Sequence, residues 1–194
     1  MRRHLAAVVI TLGTTVLVLG SALVLADDKP KPIEAFTTVA ASMQRGRASR
    51  LDIVITRWST DEERERLLTT LQEFGRDKLV DELTKIRPTC GYMRTPQTKG
   101  WDLFYCRNNV MPDGSRHVVI ATDRYVTFAE AATSQRSMQY QVTLIELHLD
   151  KDGKGEGKMV PAAKITWDKE KKKLEIENYS ALPIDLKGVK PQKV

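Results

Sequence analysis

The chain has 194 residues and a mass of 21.9 kDa, with 29% charged and 41% hydrophobic residues and a formal net charge of +6. That length suits one domain with its own core, and that composition excludes a multi-span membrane protein, a collagen-like chain and a wholly disordered one.

The chain opens on a short basic stretch, Met1-Arg2-Arg3-His4, and Leu5 to Leu25 then carries no charge. Val24-Leu25-Ala26 puts small or acceptable residues at the positions a signal peptidase reads, and the polar Asp27-Asp28-Lys29-Pro30 follows at once. Basic, apolar, small and then polar is the layout of a secretory signal, so residues 1–26 are expected to be removed after Ala26. An uncleaved N-terminal anchor is the alternative, because the run is long enough to cross a bilayer. Cleavage takes the net charge from +6 to +4. Such a mild excess does not suggest a nucleic-acid partner, which calls for a concentrated basic face. The expected location is periplasmic or secreted, and the mature chain is expected not to span a membrane.

Residues 27–34, with Lys29-Pro30-Lys31-Pro32, read as an extended linker. A single domain is expected over 35–190, with 191–194 as a C-terminal tail. Phe36 to Met43 and Arg50 to Trp58 are β-rich, and Leu51, Ile53 and Ile55 alternate onto one face. The period then changes to that of a helix. Ser59 or Thr60 can cap it, each with a Glu three residues on, and Asp61, Glu62 and Glu63 suit the positive end of the helix dipole. Leu67, Leu68, Leu71 and Phe74 form an apolar stripe, and Gly75 fits a left-handed cap. A second stripe holds Leu79, Val80, Leu83 and Ile86 before Pro88.

Strands are expected over 89–95, 101–110, 116–122, 140–149, 158–167, 172–179 and 184–189, joined by short polar turns. Tyr125 to Ser137 fits either a short helix or a flap. Antiparallel neighbours follow from the short connections. The expected class is α+β: a mostly antiparallel sheet of about eight or nine strands, open and curved or partly closed into a barrel, with a helical pair after the second strand.

Cys90 and Cys106 are the only cysteines. A hairpin closed by Pro96 to Gly100 sets Cys90 opposite Cys106, Tyr92 opposite Phe104 and Arg94 opposite Asp102. In an exported chain this register predicts a disulfide. Asp150, Asp152 and Glu156 resemble the start of a calcium loop, but Lys154 and Pro161 stand where an EF-hand needs oxygen ligands. The glycines at 153, 155 and 157 are better read as residues of a hairpin turn, so no metal is expected. No nucleophile elbow, zinc, phosphate-loop or dinucleotide motif is present. His117 and His148 read as surface strand residues.

Arg57-Trp58-Ser59-Thr60-Asp61-Glu62-Glu63-Arg64, Gly91-Tyr92-Met93-Arg94-Thr95-Pro96 and Leu144-Ile145-Glu146-Leu147 resemble segments of a group of uncharacterised secreted bacterial proteins. The resemblance implies an exported bacterial protein of one domain and brings no activity or ligand with it. The functional expectation is a non-enzymatic binding or envelope-associated module without a cofactor. Its partner would be a small apolar ligand or an envelope component. Trp58, Tyr92, Phe104, Tyr105 and Phe128 are the candidates to line a pocket. The alternatives are a hydrolase with an unobvious carboxylate or histidine site, and a structural or interaction protein.

Overall fold

A computed structural model describes residues 30–42, 47–123, 142–168, 170–171, 173–178 and 183–194. The expectations for the signal, for Tyr125 to Ser137 and for Phe128 lie outside the described residues. The elements are β1 (Glu34–Ser42), β2 (Arg47–Ile55), α1 (Asp61–Phe74), α2 (Arg76–Thr84), β3 (Gly91–Arg94), β4 (Trp101–Leu103) and β5 (Tyr105–Val110). β6 (Arg116–Thr122), β7 (Val142–Leu149), β8 (Gly155–Asp168), β9 (Lys173–Asn178) and β10 (Ile184–Pro191) complete them. The class is α+β, as expected. Glu34 and Pro191, which the sequence reading put outside the domain, are strand residues.

The sheet is antiparallel and follows the order β4-β3-β2-β1-β10-β8-β7-β6-β5, with β9 added to β8. β4 and β5, the two ends of this path, are separated only by Phe104. One bent strand therefore pairs with β3 through its first half and with β6 through its second, so the sheet nearly closes into a barrel. The Phe104 amide donates to the Ala121 carbonyl across the bend at 3.0 Å.

Alternation decides what fills the barrel. Leu51, Ile53 and Ile55 point inward and are fully buried, as the period-2 pattern requires. They meet Ile120, Ile145 and Leu147 in one apolar cluster. Each such side chain contributes about 1.5–3 kcal/mol through burial. The helical pair lies on the outside of the barrel wall. Leu67 and Leu71 of α1 and Leu79 and Leu83 of α2 form a second cluster with Phe104, Ala121 and Val142. The expected stripe stops short of Phe74, which is 67% exposed.

The α1 cap is a capping box at Thr60: its Oγ1 accepts from the Glu63 amide at 3.2 Å, and Glu63 Oε2 accepts from the Thr60 amide at 3.0 Å. Gly75 joins the helices with φ 79° and ψ −172°, so the expected positive φ is present without a left-handed helical ψ.

A bulge gives β8 two roles. Leu144 pairs with Val160 but Val142 pairs with Ala163, so β8 gains a residue around Pro161 and Ala162. Glu156 and Lys158 face outward before the bulge. After it the outward set is Ala163, Ile165 and Trp167, the last two of which pack on the helical cluster. The far half of β8, paired with β9, is thus an arm laid over the helices.

Candidate functional site

The barrel interior is filled by side chains, so concavity has to be found outside it. A cleft of about 290 Å³ opens where the end of α1 and the start of α2 meet the β8–β9 arm. Leu71, Ile165 and Trp167 supply its apolar surface, and Gln72, Glu73, Arg76 and Thr166 supply its polar surface. Arg76 is the first residue of α2, where unpaired backbone N–H groups add positive potential. Phe74, exposed at the end of α1, stands between the cleft residues Glu73 and Gly75 in the chain. The sequence reading missed this site because the bulge that turns Trp167 toward the helices leaves only a weak local trace, the Pro161-Ala162 pair.

The aromatic residues expected to line one pocket are dispersed instead. Trp58 packs against the barrel interior, as does Trp101. Phe104 is buried in the helical cluster under Arg87, whose guanidinium carbon lies 5.1 Å from the ring centroid, and Tyr105 joins the same cluster. Tyr92 is half-buried on β3, with Arg94 6.0 Å from its ring.

The cysteine register also needs correction. Gly91 faces Leu103, Tyr92 faces Asp102 and Met93 faces Trp101. The hairpin is displaced by two residues from the expected alignment, because Trp101 faces Met93 rather than Thr95. Arg94 does not face Asp102, Tyr92 does not face Phe104, and Cys106 lies diagonally beyond Cys90. A shift of two keeps every side chain on its expected face, so hydrophobic patterning could not expose the error.

No disulfide joins the cysteines: both thiols are fully buried and 4.5 Å apart. Ser59 knits them together. Its Oγ contacts Cys90 Sγ at 3.3 Å and accepts from the Cys106 amide at 3.0 Å, while its own amide donates to the Cys106 carbonyl at 2.7 Å. The neighbouring Cys106 thiol lowers the Cys90 thiol to about 7 against opposing burial, with help from Ser59 and Arg57, and Cys90 Sγ donates to the Phe104 carbonyl at 3.3 Å. Burial, and then the neighbouring Cys90, push Cys106 well above the usual thiol range. Arg57 is held by a two-pronged ion pair with Glu63 at 3.0 and 2.9 Å.

The calcium set does not converge on one point. Asp150 Oδ1 accepts from the amides of Asp152 and Lys154 at 2.8 and 2.9 Å, which makes it a turn residue. Asp152 is exposed on the turn, and Glu156 lies on the outer face of β8 opposite His148. Among the described residues the group with metal-ligand spacing is His117, Glu146 and His148, whose ligand atoms all lie within 4.8 Å of one another. The sequence signal for it was Glu146-Leu147-His148, two ligands on one face of a strand, with His117 on the neighbouring strand.

The fold and its outer cleft define an α+β barrel domain with a helical cover. No protein-family model, curated protein or solved structure matches the chain.

Proposed function

We propose that the chain is an exported, non-enzymatic binding module that holds a small amphipathic anion in the outer cleft. The observation that carries this reading is the joining of an apolar floor to an edge that carries the Arg76 guanidinium, which Asp77 contacts from one side at 3.1 Å. Leu71, Ile165 and Trp167 offer an aromatic and aliphatic surface, and Arg76 stands at the N-terminal end of α2. Ligand sites combine a largely apolar lining with a few placed polar groups. The cleft volume suits a molecule of one or two rings.

An anionic fluorescent probe, anilinonaphthalene sulfonate, tests the reading. It should bind saturably with one probe per chain and quench Trp167. Arg76→Ala should weaken binding about tenfold, the loss of one charge-assisted contact of roughly 1.4 kcal/mol. Trp167→Phe should remove most of the quenching. Probe binding that is unaffected by both substitutions would place the ligand elsewhere and overturn the assignment.

Export supports a second feature. An oxidising compartment favours a bond between two adjacent cysteines. A disulfide-bearing oxidant would take two electrons and two protons from Cys90 and Cys106, leaving one S–S bond and two reduced thiols on the oxidant. Burial of both sulfurs makes this a step that precedes final packing.

A further inference from the structure

We infer that His117, Glu146 and His148 bind a divalent transition-metal ion on the outer face of β6 and β7. This site is independent of the cleft. The chain has three histidines, one of them at position 4. The other two fall on adjacent strands at directly opposed positions, His117 against His148. Their rings stack with centroids 4.7 Å apart and planes 11° from parallel. Glu146 stands on the same face, two residues before His148.

Both Nε2 atoms are aimed at one carboxylate oxygen. Glu146 Oε1 lies 2.5 Å from His117 Nε2 and 3.4 Å from His148 Nε2. Two imidazole nitrogens and a carboxylate oxygen are the donor set that suits zinc, copper, nickel or cobalt. Calcium and magnesium want oxygen ligands in greater number. A tetrahedral ion with bonds of about 2.1 Å places its ligand atoms about 3.4 Å apart. The three atoms here lie within 4.8 Å of one another, so rotation of side chains alone can close the site around an ion.

The backbone beneath is fixed. β6 and β7 are each paired on both sides. Between the ligands on the sequence, Val118 and Leu147 point inward and are fully buried. A one-residue slip would turn both imidazoles into the barrel and these apolar groups into water, so the core itself sets the ligand positions. The neighbours in the flanking strands are Asn109 beside His117, Lys158 beside Glu146 and Glu156 beside His148. The site is open to solvent, with side-chain exposures of 27% for His117, 48% for Glu146 and 67% for His148. Three protein ligands leave at least one coordination position for water or for a donor atom on a partner.

The test uses the untagged full chain, because a polyhistidine tag would supply competing imidazoles. Calorimetric titration with zinc chloride should give one ion per chain with micromolar affinity, while calcium chloride should give none. Zinc should shift the ring nitrogen resonances of His117 and His148 together. Copper should give an electron spin resonance spectrum with two nitrogen ligands. His117→Gln and His148→Gln should each weaken zinc binding roughly tenfold or more, since loss of even a supporting partner costs that much. Lys158→Ala should leave it intact. Unshifted ring nitrogens at saturating zinc, or unchanged affinity in the folded double histidine variant, would overturn the assignment. The resonance measurement needs no substitution, so it decides the matter even if a variant misfolds.

Discussion

Asp52 shows how one side chain can tie distant parts of the chain together. It sits on β2, and its Oδ1 accepts from Thr37 at 2.9 Å, Arg50 at 2.8 Å and Gln192 at 3.1 Å. Burial raises its pKa, but the hydrogen bonds from Arg50, Thr37 and Gln192 outweigh burial and hold it below the usual aspartate range. A carboxylate depressed by folding stabilises the protein fully above its unfolded pKa of about 4, and the benefit disappears as pH falls through the folded value. Asp52→Ala should therefore cost about 1–3 kcal/mol at neutral pH, measured by urea unfolding. The deficit should shrink in strong acid. A deficit of the same size at pH 2 would assign the effect to packing rather than charge.

At the scale of elements, the β7–β8 hairpin depends on two glycines for a reason the sequence reading mistook. Only Gly153 has a positive φ, of 77°; Gly155 and Gly157 are strand residues. They are needed because β7 runs close beneath them. A Cβ at Gly155 would lie 1.9 Å from the His148 carbonyl oxygen, and one at Gly157 would lie 2.4 Å from that of Glu146 and 2.7 Å from Leu147 Cδ2. Glycine at such points lets the barrel wall turn sharply. Alanine normally strengthens a strand relative to glycine, so a loss here is diagnostic. Gly157→Ala should lower stability by about 1–3 kcal/mol in thermal or chemical unfolding. A neutral or stabilised variant would mean that β7 and β8 separate freely at this corner.

The whole molecule is a barrel held shut at several points far apart in sequence. Arg116 forms a two-pronged ion pair with Glu34 at 3.0 and 2.6 Å, and its guanidinium carbon lies 5.9 Å from the Phe36 ring centroid. Among the described residues no helix is long and apolar enough to cross a membrane. The proposed export and the proposed oxidation of Cys90 and Cys106 are both read from one measurement. Intact mass of natively exported, unreduced protein should correspond to a chain beginning at Asp27 and lighter by two hydrogens than its reduced form. A product beginning at Met1 would make residues 1–26 an anchor. Two free thiols would show that the pair remains reduced in its compartment.

Local chemistry made much of this architecture legible. Alternation along β2 named its buried face, and the Thr60–Glu63 box with the stripes at Leu67, Leu71, Leu79 and Leu83 located both helices. Those signals are written in neighbouring residues, because a strand or helix presents its own period wherever it packs. The two-residue shift opposite Met93, the bulge that turns Trp167 over the helices, and the meeting of His117 with His148 are written in no single segment. Each depends on which strand lies beside which, and at what register. Pattern determines the face a side chain occupies, whereas strand pairing and register determine its neighbour. The elements were therefore set by the sequence alone, while the cleft and the imidazole cluster exist only because particular strands and helices lie side by side at a particular register.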